Sequence, residues 1–320
     1  MKMKSILLTS SLLVITMASA CSGRGVISTS NSIPSPIQTA PAKDKQPDAE
    51  LAKQLAQIAS AAKGKVGIAA LVLETGENVS LNAGDHFPMQ SVYKLPIGMA
   101  IMAQVDAGKI KLDQKVRVTK EDFIGTSSHS PIRDKNPNGV DLSVSELMGW
   151  MLLESDGTAS YFLMKLAGGP AAVQAYLDKL GVKDMIVLDT EKAFAQDHSL
   201  QFRNWATPEA AITLLTALHE RRGLSQSSQA LLLKLMTESI TGPKRLKGLL
   251  PTGTSVAHKT GTSGTDNGVT AATNDIGIIT LPNGRHAAVA VFVSDSPADE
   301  ATREAVIAKI AKAVWDKWAR

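Results

Sequence analysis

The residues best suited to chemistry in this chain lie in three short fragments: Ser91-Val92-Tyr93-Lys94, Ser155-Asp156-Gly157 and Lys259-Thr260-Gly261. A fourth residue, the carboxylate Glu191, lies between the second and third. Residues three apart on a helix share a face. Lys94 would therefore sit beside Ser91 and take the proton that makes its hydroxyl a nucleophile. Phe87-Pro88-Met89-Gln90 reads as a turn and residues 95–105 as an apolar helix, which puts Ser91 at the helix start. There the free N–H groups and the dipole favour negative charge on an attacked carbonyl. Pro96 falls within the first turns, where a missing N–H is tolerated. Alone, a Ser-x-x-Lys tetrapeptide is expected about once by chance in a chain this long. By itself it reads rather as an N-cap serine with a surface lysine.

Ser155-Asp156-Gly157 follows the apolar run Trp150-Met151-Leu152-Leu153. Asp and Gly are turn formers, so by itself this is a helix-to-helix turn. In a reactive setting Ser155 would relay a proton to a leaving nitrogen, with Asp156 as a buried brace. Lys259-Thr260-Gly261-Thr262-Ser263-Gly264 closes an apolar strand and offers an ammonium, three hydroxyls and two glycines. Such an edge either is a polar strand end with turn glycines or pairs with an amide-containing ligand. In the second case Lys259, Thr260 and Thr262 would bind the ligand's carboxylate. The backbone N–H groups of Ser91 and Thr262 would then form an oxyanion hole. Glu191 by itself would be a solvated loop charge.

Residues 48–63 carry Leu51, Leu55 and Ile58 on one helical face, with Gly64 past the end. Residues 66–73 and 78–81 flank a Thr75-Gly76-Glu77 turn and read as a hairpin. Helical segments then begin near Ser91, Ser143, Gly157, Gly169, Thr207 and Ser225. Strand patterns return at 255–260, 275–281 and 286–294, the last two joined by Pro282-Asn283-Gly284-Arg285. A final helix spans 299–318, with Ala301, Val306, Ile307, Ile310 and Val314 on its apolar side. Strands at both ends and helices between predict one antiparallel five-stranded sheet, flanked by the first and last helices, with an all-helical domain inserted. The sheet lobe would take 48–86 and 252–320, the helical lobe 87–251. A small ligand would bind between them.

Taken together, the fragments and their order resemble the class A serine β-lactamases, over residues 48–320. The resemblance implies that fold and a small-molecule β-lactam substrate, penicillins and also cephalosporins, with no metal or organic cofactor. It makes Ser91 the acylated nucleophile, Lys94 its proton partner and Ser155 the donor to the lactam nitrogen. Glu191 becomes the Ω-loop base that activates water. Lys259, Thr260 and Arg245 hold the substrate carboxylate, and Thr262 and Ser263 point to cephalosporins. The family's middle motif usually ends in Asn, which binds the substrate's acylamide group, where Gly157 has no side chain. Four residues after Glu191, Ala195 replaces an Asn that helps hold the water. The residues around Glu191, from Asp189 to Trp205, look closer to an extended-spectrum subgroup with a rebuilt Ω loop. Gly157 and Gly261 keep structural roles beside Asp156. Two alternatives remain: a penicillin-binding D-alanyl-D-alanine peptidase of the same superfamily, and a non-catalytic lipoprotein that senses wall peptides or lactams.

Lys2 and Lys4, an apolar run from Ile6 to Met17 and Ala18-Ser19-Ala20 make residues 1–20 a signal peptide. Export to the periplasm is expected. The one cysteine, Cys21, follows the cleavage site and suits lipidation, although Ala18 stands where the usual lipoprotein signal has Leu; otherwise it is left as a free thiol. Residues 21–47 are a disordered Ser/Pro-rich tether that would hold the globular part off the membrane. The formal charge of +4 drops to +2 without Lys2 and Lys4, and acids and bases are interspersed, which excludes a nucleic-acid stripe. The six histidines show no ligand spacing such as His-x-His, so no metal is read from them. His258 reads as a packing residue. A monomer is expected.

Overall fold

The structure, a computed structural model, describes residues 46–194 and 197–320. The signal peptide, nearly all of the tether, Cys21 and Ala195 lie outside the described residues. Five strands pair antiparallel in one sheet: β1 (Lys65–Val72), β2 (Asn78–Leu81), β3 (Val256–Thr262), β4 (Thr273–Thr280) and β5 (His286–Ser294). Their order is β2-β1-β5-β4-β3. The central strand β5 runs Ala287-Ala288-Val289-Ala290-Val291-Phe292-Val293 without a polar residue because both faces of the sheet are covered. Ala287, Val289, Val291 and Val293 pack with helix α1 (Ala49–Ala59) and the last helix (Glu300–Trp318). Ala288, Ala290 and Phe292 belong to a second core shared with the helices of the middle of the chain.

That second core surrounds α2 (Lys94–Asp106), whose residues Lys94 to Met102 are all buried. A helix apolar on every side must be enclosed, and α3 (Val144–Leu153), α4 (Gly157–Ala167), α5 (Pro170–Leu180), α6 (Pro208–His219) and α7 (Gln226–Thr237) contribute to the enclosure. Their starts are set by local chemistry. Ser143, Asp156, Thr207 and Ser225 each accept a backbone N–H three residues on. Gly168 and Gly181 close α4 and α5 at φ of 105° and 79°. The last helix becomes α8.

Four expectations need correction. Ser91 does not open the α-helix: it lies in a 3₁₀ turn, Gln90–Tyr93, and α2 begins at Lys94. This start places Pro96 in the first turn, where no N–H is required. Strand β3 runs on to Thr262, because Gly261 and Thr262 pair with Asn274 and Thr273. Residues 87–90 are not simply a turn, since Phe87–Pro88 pair with Trp205–Ala206. In α8, Ala301 is exposed while Arg303 turns inward, its Nε donating to Thr273 Oγ1 at 2.8 Å.

Candidate active site

The turn bearing Ser91 is pressed against β3. A Cβ on Gly261 would come within 2.3 Å of the Met89 carbonyl oxygen, so only glycine lets the strand lie this close. Ser91 and Thr262 therefore line the same cleft of about 1050 Å³, together with Ser155, Glu191, Arg245, Thr260 and Ser263. Among the described residues, no hydrogen bond engages the Ser91 hydroxyl.

Ser155 sits between α3 and α4 at φ +59°. Holding a non-glycine residue there costs about 1–3 kcal/mol. Two buried lysines grip it. Lys94 Nζ donates to the Ser155 carbonyl at 2.7 Å and to its Oγ at 3.4 Å. Lys259 Nζ donates to the same Oγ at 3.0 Å and to the Thr260 carbonyl at 3.0 Å. A hydroxyl that accepts from two lysine Nζ atoms keeps its own hydrogen for a third partner, the requirement for a proton donor. Beneath it, Asp156 is fully buried and accepts from the N–H groups of Ala159 and Ile132, both at 2.8 Å, and from Ser130 Oγ. Burial raises its carboxyl above the usual value, and these donors oppose the rise.

Glu191 starts a short helix, Glu191–Phe194, and points inward. Its Oε2 lies 3.6 Å from Lys94 Nζ and accepts from the Tyr93 hydroxyl at 2.8 Å. Ser160 Oγ in turn donates to the Tyr93 oxygen at 3.4 Å. Burial first, and then the Glu191 charge, push the Tyr93 phenol well above its ordinary pKa, so it stays a donor. Buried Asn204 fastens the segment before Glu191: its side chain accepts from the N–H groups of Leu188 and Asp189 and donates to the Asp189 carbonyl. The Asn204 carbonyl also accepts from Met89 N–H at 2.9 Å, two residues before Ser91. Gly157 fills a tight place. A Cβ there would meet Ile124 Cδ1 at 2.2 Å and Glu191 Cγ and Oε1 at 3.1 Å.

The other end of the cleft is cationic. Burial, and next the Lys94 charge, push Lys259 well below the ordinary lysine value, and an arriving carboxylate would favour its charged form. Thr260 Oγ1 shares a hydrogen with Thr241 Oγ1 at 2.8 Å. Arg245 is a strut as much as a binder. Its Nη1 donates to the carbonyls of Gly261 and Asn274, its Nη2 to Thr262 Oγ1 at 2.8 Å, and its Nε to Glu304 Oε1 at 3.1 Å. Of its five donor hydrogens, one remains for a ligand. The Ser263 hydroxyl is likewise occupied, donating to the Gly264 carbonyl at 2.8 Å and accepting from Ala272 N–H at 2.9 Å. His258 is buried behind β3 against Asp275, with Nδ1 at 2.8 Å from Oδ2.

The structure thus brings together Ser91, Lys94, Ser155, Glu191, Lys259, Thr260, Thr262, Ser263 and Arg245. Sequence reasoning passed over Tyr93, Ser160, Thr241 and Ile124. For Tyr93 one signal was available, a polar-tipped aromatic between the serine and the lysine.

The chain as a whole has counterparts among known proteins. The model of the β-lactamase enzyme family matches residues 50–318. Extended-spectrum β-lactamase PER-1 of Pseudomonas aeruginosa is 41% identical over 265 residues, 83% of this chain and 86% of that protein. β-Lactamase VEB-1 of the same organism is 37% identical over 268 residues, 83% of this chain and 89% of that protein. A crystal structure of a β-lactamase from Chitinophaga pinensis DSM 2588 superposes with a TM-score of 0.82 at 45% identity, covering 84% of this chain and 99% of that one. The TLA-1 extended-spectrum β-lactamase gives the same TM-score at 43% identity, covering 85% and 99%. The chain belongs to the β-lactamase enzyme family, class A.

Proposed function

We propose that this enzyme hydrolyses the amide bond of penicillins and cephalosporins through an ester on Ser91, and so confers resistance to them. Ser91 attacks the lactam carbonyl and passes its proton to Lys94 or Glu191, which lie 3.6 Å apart. The N–H groups of Ser91 and Thr262 receive the oxyanion. Ser155, hydrogen-bonded to both lysines, gives its proton to the lactam nitrogen and regains through Lys94 the one taken from Ser91, so that Lys94 and Glu191 return to their starting states. The substrate carboxylate docks on Lys259, Thr260 and the remaining Arg245 hydrogen. Glu191, oriented by Tyr93, then removes a proton from the water that cleaves the ester.

The inward Glu191 carboxylate carries this reading, because without a base near the ester the acyl group would remain, as in a wall peptidase. Glu191→Gln is expected to acylate, with Lys94 as the remaining base, and then stall, giving a stoichiometric burst with a chromogenic cephalosporin. Unchanged steady-state turnover in that variant would remove Glu191 from the mechanism. A burst without turnover in the wild type would instead favour the peptidase, and no reaction a lactam sensor.

Resemblance to PER-1 and TLA-1, both named as extended-spectrum enzymes, supports an extended spectrum here. The Asn204-fastened segment before Glu191 supports a rebuilt Ω loop. The enzyme would act as a periplasmic monomer tethered through a lipidated Cys21. Labelled palmitate should enter the wild type and not Cys21→Ala; equal incorporation in the two would rule lipidation out.

A further inference from the structure

Away from the cleft, the sheet gathers three metal-ligating side chains that no local spacing joins. Glu74 lies in the turn after β1, His286 opens β5 and His219 closes α6. On the cleft side Thr262 pairs with Thr273, and Thr273 with Val293; His286 pairs with Thr280 at the opposite end of the same strands. One ligand atom from each of the three residues lies within 4.8 Å of the other two. His286 Nδ1 is 2.7 Å from Glu74 Oε1, and His219 Nε2 is 3.9 Å from that same oxygen. The two imidazole centroids are 4.8 Å apart.

Ligands held at about 2.0–2.1 Å by a tetrahedral ion stand about 3.3 Å from one another, inside this range. Backbone contacts hold the frame. Glu74 Oε2 accepts from His286 N–H at 2.8 Å, and Leu73 N–H donates to the His286 carbonyl at 2.9 Å. An orienting contact on the second carboxylate oxygen is what a metal-binding carboxylate needs. A surface ion pair would require one imidazole, whereas here a second, from another element, stands beside the first. Two imidazoles and a carboxylate suit zinc and its neighbours better than magnesium or calcium. All three side chains are partly exposed, so an ion can enter and water can complete its coordination.

We propose that Glu74, His219 and His286 form a binding site for a divalent transition-metal ion of the zinc class. The ion would staple the β1–β2 hairpin, β5 and α6 together. It takes no part in lactam chemistry.

The test is calorimetric titration of zinc chloride into the untagged full chain after removal of metal by a chelator. One ion per chain is expected. Glu74→Gln should weaken binding at least about tenfold, and the double variant His219→Ala/His286→Ala should abolish it. Zinc should raise the wild-type Tm by about 2 °C or more and leave the double variant unmoved. Circular dichroism checks that each variant is folded, and Glu74→Gln, a change in an exposed turn, decides the matter should the double variant not fold. Absence of uptake at millimolar zinc, or equal binding by wild type and folded variants, overturns the site.

Discussion

Tyr93 stands between Ser91 and Lys94 in sequence, and its phenol reaches the Glu191 carboxylate. A hydrogen bond to a charged group contributes about 1.5–3 kcal/mol. Tyr93→Phe keeps the ring and removes only this donor, so deacylation should slow by about tenfold or more. The loss should fall on hydrolysis of the ester, read by following the acyl-enzyme in single-turnover experiments. A variant with a lower Tm but wild-type deacylation would reduce Tyr93 to a packing residue. Ser91, Lys94 and Lys259 were legible in the sequence because each sits in a short fragment of distinctive chemistry, whereas Glu191, alone a loop charge, came only with the family resemblance. The Tyr93 contact was not, because its partner lies 98 residues away. At that separation identity alone says only "buried aromatic". Arg245 was legible as a cation and illegible as a strut, since two of its four acceptors are backbone carbonyls, which every residue has.

Elements were readable where a local rule sets them. Asp156 caps α4 through its own side chain, and Ser143 and Glu146 cap α3 reciprocally. Burial plays no part in these choices. The end of β3 is different: it continues through the glycine because β4 pairs with it, and that partner is invisible in residues 255–262. The 3₁₀ turn at Ser91 has the same origin, as β3 and the Asn204 carbonyl hold it from outside. Gly261→Ala tests the join between the two elements. A methyl group 2.3 Å from the Met89 oxygen must push strand and turn apart. A stability loss of about 1–3 kcal/mol is expected. A fall of at least about tenfold in kcat/KM should accompany it, since misplacement by an ångström is costly in catalysis. Thermal melts and steady-state kinetics read the two effects, and a destabilised variant with full activity would separate the glycine from the alignment of Ser91 with Thr262.

At the scale of the molecule, strands from both ends of the chain close one sheet, and the unbroken apolar run of β5 matches its place as a strand covered on both faces. What no pattern showed is that the last helix reaches the cleft. Glu304 of α8 pairs with Arg245, and the two side chains are only 13% and 4% exposed. Removing one partner of such a buried pair costs about 3–5 kcal/mol, because the remaining charge is left without compensation. Glu304→Ala should therefore lower the Tm by several degrees. Its effect on function should have the opposite sign. With Glu304 gone, the guanidinium loses an anion that opposes an incoming carboxylate, and the freed Nε hydrogen adds to the one already available. KM for penicillins should fall while kcat stays near the wild-type value, because no reacting atom touches Glu304. A rise in KM with the loss of stability would mean that Arg245 serves only to hold β3 and β4 in place.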